Sequence, residues 1–204
     1  MTVAPRPLQA LGPHTLHVVV DMQRVFAEAT DWRVPAIADV VLPILAMVRA
    51  HPRETLFTRF MTPSSIETAA GDWQRFYARW PAVVRDRMDA AMFDLMEPFP
   101  STVPPAEVCD KTTFSAFASA DFAASLARRG TQTLILSGVE TDVCVLATAL
   151  DAVDRGLHVV LAVDALTSWS AAGHRAALDA IYPRFDQQIE IATVGAIMAA
   201  WPAV

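Results

Sequence analysis

Apolar positions along the chain follow two rhythms. Short runs rich in β-branched side chains are flanked by polar or turn-forming residues, and the clearest is LHVVV at 16–20, which ends on Asp21. An unbroken apolar run of that length reads as a strand buried on both faces. Five more such runs occur at 55–58, 107–111, 133–137, 157–163 and 188–193. Between them, apolar residues recur at helical spacing over 36–50, 119–129, 142–155, 171–181 and 194–201, several of these stretches closing on Gly or Pro.

Strands alternating with helices predict a parallel sheet covered on both faces, a three-layer α/β/α sandwich with six strands in a Rossmann-like arrangement. In such sheets ligands bind outside the carboxyl ends of the strands, so residues that follow strands acquire weight. Asp21, Lys111 and Cys144 all do. The rhythm falters between 61 and 105, where Trp73, Phe76, Tyr77 and Trp80 crowd together and prolines are frequent. This stretch is expected to be a lid-like insert within one domain spanning 1–204.

Composition narrows the partners. With 204 residues, 53% hydrophobic and 19% charged, the chain suits one domain with a large core. A net charge of −6 supplies no basic stripe for phosphates or anionic lipid, so neither nucleic acid nor a membrane is expected as a partner. Apolar stretches are interrupted well short of a bilayer span, the N-terminus MTVAPRPLQALGPH carries no export signal, and the expected location is the cytoplasm. A mean hydropathy of +0.32 points to a buried face between copies, hence a homo-oligomer. Two cysteines make no disulfide framework, so each thiol needs its own explanation.

Cys144 lies in GVETDVCVLATALDA, with Thr141 placed to cap a helix starting at Asp142. Free amides and the helix dipole in that first turn would favour thiolate, although a small buried apolar residue is the plainer alternative. Lys111 is either a solvated cation or a buried ammonium holding a thiolate and a carboxylate ionised. Asp21 either takes the thiol proton or caps the next turn. Together the three supply nucleophile, base and cation, the minimum for acyl transfer through a thioester. Cys109, two residues before Lys111 on the same strand face, reads as an inert core thiol. His174 reads as a capping or contact residue before a proton shuttle.

The segments VVVDMQRVF, DKTTFSAF and SGVETDVCVLATALDAVDRG resemble, in order and spacing, the three signature segments of the isochorismatase-like cysteine hydrolases. That resemblance implies strand order 3-2-1-4-5-6 and a catalytic triad of Asp21, Lys111 and Cys144. It also implies a cis peptide before Glu140 that aims the backbone amides of Glu140 and Cys144 at an oxyanion. The reaction it implies is cleavage of a C–N bond in a small amide, carbamoyl or ureido compound. Isochorismatase-type or nicotinamidase-type hydrolysis, or a non-catalytic binding role, are the alternatives. The family's nicotinamidases hold a metal with histidines after the second strand, whereas FTRFMTPSSIETAAGDW has no histidine or cysteine, so neither metal nor other cofactor is expected. Arg59, at the carboxyl end of the second strand, is expected either to fork onto a substrate carboxylate or to pair with Asp86, Asp94 or Glu97. Gln23, Phe26, Phe114 and Phe117 flank the triad segments and are expected to line the pocket.

Overall fold

The computed structural model describes residues 8–202. The reading of the N-terminus as free of an export signal falls partly on residues 1–7, outside that range. Six strands form one parallel sheet in the order β3-β2-β1-β4-β5-β6: β1 Thr15–Val20, β2 Thr55–Phe60, β3 Glu107–Lys111, β4 Thr133–Val139, β5 His158–Thr167 and β6 Ile189–Ala192. Helices flank it, namely α1 Arg24–Ala27, α2 Val41–Ala50, α3 Trp73–Arg79, α4 Ala120–Arg129, α5 Cys144–Asp154, α6 Ala171–Ala176 and α7 Val194–Ala200. Helices α2 and α7 pack on each other and on β5, while α4 and α5 cover β3, β4 and β5.

All six residues of β1 are buried, as expected of a strand central in the sheet and covered on both sides. Its register against β4 pairs Val20 with Gly138, whose φ is +101°. A Cβ at that glycine would overlap the Val20 carbonyl, so the carboxyl ends of β1 and β4 approach as closely as backbone allows. The pairing of β4 with β5 shifts register between Leu136 and Gly138. Strand β5 then continues to Thr167, four residues past its predicted end, and delivers Ser168, Trp169 and Ser170 to the ligand edge.

Two local expectations are corrected. Helix α5 begins at Cys144 instead of Asp142, with Val143 preceding it and no side-chain cap. The Thr141 hydroxyl is engaged elsewhere, donating to the Thr167 carbonyl at 3.1 Å and lying 2.8 Å from His174 Nδ1. The stretch 61–105 is also more ordered than its sequence suggests: α3 is followed by short 3-10 turns, and Tyr77, Val83, Phe93 and Phe99 are buried among them. Its Glu97–Pro98, Val103–Pro104 and Pro104–Pro105 bonds are cis.

Candidate active site

Asp21 leaves β1 with φ +51°, a left-handed turn uncommon for a side-chain-bearing residue. Its amide donates to the Thr58 carbonyl at 3.2 Å, and the Thr58 hydroxyl donates to Asp21 Oδ1 at 2.7 Å. Lys111 ends β3, two strands away, and its chain reaches back under the sheet edge. There Nζ sits 2.7 Å from Asp21 Oδ2 and donates to Cys144 Sγ at 3.5 Å and to the Thr113 carbonyl at 3.1 Å. The ammonium also lies 4.5 Å from the Phe60 ring centroid. All three residues are buried: 0% exposed for Asp21, 2% for Lys111 and 6% for Cys144.

Burial works against the Lys111 charge, but the Asp21 carboxylate and Cys144 outweigh it and hold the ammonium above its usual range. Burial also pushes the Cys144 thiol up. Lys111 pulls it down, but not by enough, and nearby Asp21 adds to the rise. The balance at this sulfur thus tilts away from the thiolate that the helix terminus is expected to favour. Desolvation of a largely buried sulfur opposes the partial dipole charge.

Cys144 opens onto a cavity of about 510 Å³. Phe26, Trp32, Phe60, Phe76, Trp80 and Phe114 supply its apolar walls, and Trp169, 63% exposed, stands at the mouth. The ring planes of Phe26 and Trp32 stack at 5.9 Å, which fixes that wall. Four further lining residues carry charge: Asp31, Arg79, Glu140 and Asp142.

Of the side chains the sequence nominated for substrate contact, Phe26 and Phe114 are in place and three are not. Gln23 is fully buried as a clamp. Its Nε2 donates to the carbonyls of Phe60 (3.2 Å) and Phe93 (2.8 Å), and its Oε1 accepts from Phe60 N at 2.6 Å. The insert is thereby tied to the sheet. Arg59 forks onto Asp110, its β3 register partner, at 2.7 and 3.0 Å, and reaches Asp94 at 3.4 Å. With its guanidinium so occupied outside the cavity, it is not placed to hold a substrate carboxylate. Phe117 packs on Phe122 at 5.0 Å and under the Arg155 guanidinium at 4.4 Å.

The Val139–Glu140 peptide is cis. The Glu140 carbonyl accepts from the amides of Val143 and Val145, and its Oε2 accepts from Trp169 N at 2.8 Å. Among the described residues the amides of Glu140 and Cys144 donate to no protein acceptor. Cys109 lies 3.1 Å from Ser119 Oγ, and burial raises its thiol as well.

The nicotinamidase-type metal does not fit. The stretch after β2 offers hydroxyls, Glu67 and Asp72, with Ser65 Oγ bound to Glu67 at 2.7 Å, and neither imidazole nor thiolate. Among the described residues no three His, Cys, Asp or Glu side chains come together as a metal's ligands. Trp32, Trp169 and Asp142 were missed by sequence reasoning. Asp142 had a signal, standing two residues before the candidate nucleophile.

Residues 15–193 match the model of the isochorismatase domain. An uncharacterized isochorismatase family protein, PncA, from Bacillus subtilis is 44% identical over 69 residues, covering 34% of this chain and 38% of its own length. The chain thus spans under two fifths of that relative in the match. The ureidoacrylate amidohydrolase RutB of Methylorubrum extorquens is 24% identical over 184 residues, covering 79% of this chain and 73% of that one. The crystal structure of a cysteine hydrolase from Pseudomonas syringae pv. phaseolicola superposes with a TM-score of 0.81 at 25% identity, covering 98% of each chain.

Proposed function

Since this chain belongs to the isochorismatase family of hydrolases, we propose that it hydrolyses the C–N bond of a small amide, carbamoyl or ureido compound through a thioester on Cys144. The observation that carries this reading is the Lys111 ammonium bridging a buried carboxylate and the buried thiol of Cys144, which lines the cavity. An ion pair in that position is unfavourable for stability alone and is better explained by chemistry.

The geometry supports a balanced sequence. Asp21 takes the Sγ proton as sulfur attacks the carbonyl carbon, so the thiolate forms only when it is consumed, which suits a thiol that burial pushes upward. The carbonyl oxygen gains charge opposite the otherwise undonated amides of Glu140 and Cys144. Asp21 passes the proton to the departing nitrogen, the C–N bond breaks, and a thioester remains. Water then attacks as Asp21 removes its proton, the tetrahedral adduct collapses, and the proton returns to sulfur. Lys111 stays protonated throughout and stabilises whichever neighbour is anionic. The amidohydrolase activity named for RutB, a relative of this chain, points the same way.

The test is ammonia release from a panel of carboxamides, ureido acids and biuret, with the Cys144→Ala protein as blank. Release by the native protein that is absent from the variant is the expected result. Equal release by both would overturn the role of Cys144, and no release from any compound would favour a binding member of the family.

A further inference from the structure

The cavity's charges argue about the substrate's other end, an inference that rests on the amide-hydrolase reading above. Asp31, Glu140 and Asp142 face the cavity against a single guanidinium, Arg79, among the described lining residues. Arg79 is exposed and lies over the Trp80 ring at 5.3 Å, and Asp31 is exposed as well, which leaves Glu140 and Asp142 as the partly buried charges of the cavity. Arg59 is held by Asp110 and Asp94, and Lys111 by Asp21. An anionic substrate would therefore meet a surplus of carboxylates, and among the described residues the cation beside the nucleophile, Lys111, is already paired with Asp21.

Asp142 is the most telling of the three acids. It stands two residues before Cys144, and its Oδ1 is buried without a hydrogen-bond partner. An enclosed carboxylate oxygen left without a partner is expensive, and a cation in the adjoining cavity beside the same carboxylate would offset that cost. The place of this carboxylate is built by the backbone: it packs directly on Gly173, where a Cβ would overlap Oδ2. Glycine is required there by that contact and not by a turn. The aromatic walls add a second preference, because indole and phenyl faces attract cations in a desolvated site. The Glu140 carboxyl is pushed above its usual range by burial, with Asp142 and Asp21 adding to it, so an entering cation would relieve a crowd of like charges.

We propose that this cavity selects amides whose other end carries a protonated amine on an aromatic or apolar frame, with Asp142 as the residue that receives the ammonium. Carboxylate-bearing amides are disfavoured by the same groups.

The experiment uses matched benzamides substituted at the meta or para position with aminomethyl, methyl or carboxy groups. Binding to the Cys144→Ala protein is read by tryptophan fluorescence, and kcat/KM with the native protein by ammonia release. The aminomethyl compounds should exceed the methyl ones by roughly tenfold or more, as for a charge-assisted hydrogen bond, and the carboxy compounds should come last. Asp142→Asn should collapse the aminomethyl-to-methyl ratio toward one. Gly173→Ala, which displaces the same carboxylate without altering any charge, should do likewise. A ratio that neither variant moves, or an order with the carboxy compounds first, would overturn the proposal even if amides are cleaved. Selective binding of the amine without cleavage of any amide would instead sustain it and remove the hydrolase reading.

Discussion

Removing the Lys111 charge tests whether the buried pair is a coupled unit. The ammonium and the Asp21 carboxylate are 2.7 Å apart with both side chains fully enclosed. At an effective dielectric of about 20, that separation corresponds to about 6 kcal/mol of attraction. Lys111→Met leaves the carboxylate buried with no cation beside it and the Thr58 hydroxyl as its hydrogen-bond donor, and Asp21→Asn leaves an uncompensated ammonium. Each single change should destabilise the fold by about 3 to 5 kcal/mol. The double variant buries no charge and should be less unstable than either single, which makes the coupling at least about 3 to 5 kcal/mol. Losses of the Thr113 and Phe60 contacts occur in both Lys111 variants and cancel in the cycle. The assay is urea unfolding of the four proteins at pH 7.5. Singles that add to the double within about 1 kcal/mol would refute the idea that each charge exists only by virtue of the other.

Stability should fall on mild acidification because His17, fully buried against Ser137 Oγ at 2.8 Å, has its pKa lowered by burial to about 3. Below pH 6.5 the unfolded chain takes up this proton and the folded one does not, so the loss begins there and reaches about 2 kcal/mol by pH 5. His17→Asn should flatten that portion of the pH dependence in urea unfolding, and an unchanged slope would count against the assignment. Arg59→Met should leave KM alike for anionic and neutral substrates and shift stability by about 1 kcal/mol or less, since its ion pairs are partly solvated. A loss confined to carboxylate substrates would restore Arg59 to the site. Gly138→Ala, forced against the Val20 carbonyl at positive φ, should lower stability by at least about 2 kcal/mol and impair turnover through displacement of Asp21. Activity unaffected by that change would mean the β1 and β4 ends are not what fixes Asp21.

The sheet was legible because its strands are continuous apolar runs, and a run such as LHVVV has no stable solution except burial on both faces. That Asp21, Lys111 and Cys144 come together was legible because a parallel sheet sends every strand's carboxyl end to the same edge. The failures share a cause. Gln23 and Arg59 flank signature segments, and in sequence a polar side chain facing a cavity looks the same as one locked in hydrogen bonds. What separates them for Arg59 is Asp110, 51 residues further along the chain and adjacent only through the β2–β3 register. Trp169 was hidden by the extension of β5, which depends on a register shift that no local pattern encodes. Thr141 was read as a cap because capping residues are defined by position, and the helix starts later than its apolar periodicity.

Gln23 ties three amide or carbonyl groups of β2 and the insert to the chain just after β1. The aromatic wall of the cavity is thus fastened to the same backbone that carries Asp21, and the two should become accessible to solvent together. Amide hydrogen exchange is expected to protect residues near Phe60 and Phe93 to the same extent as the centre of the sheet. Traffic to Cys144 would then pass through the mouth beside Trp169, so the size of an entering molecule would be judged there, against a wall that does not swing away. Release of a bulky acyl product, which must leave by that same aperture, is the step where turnover of large substrates should slow.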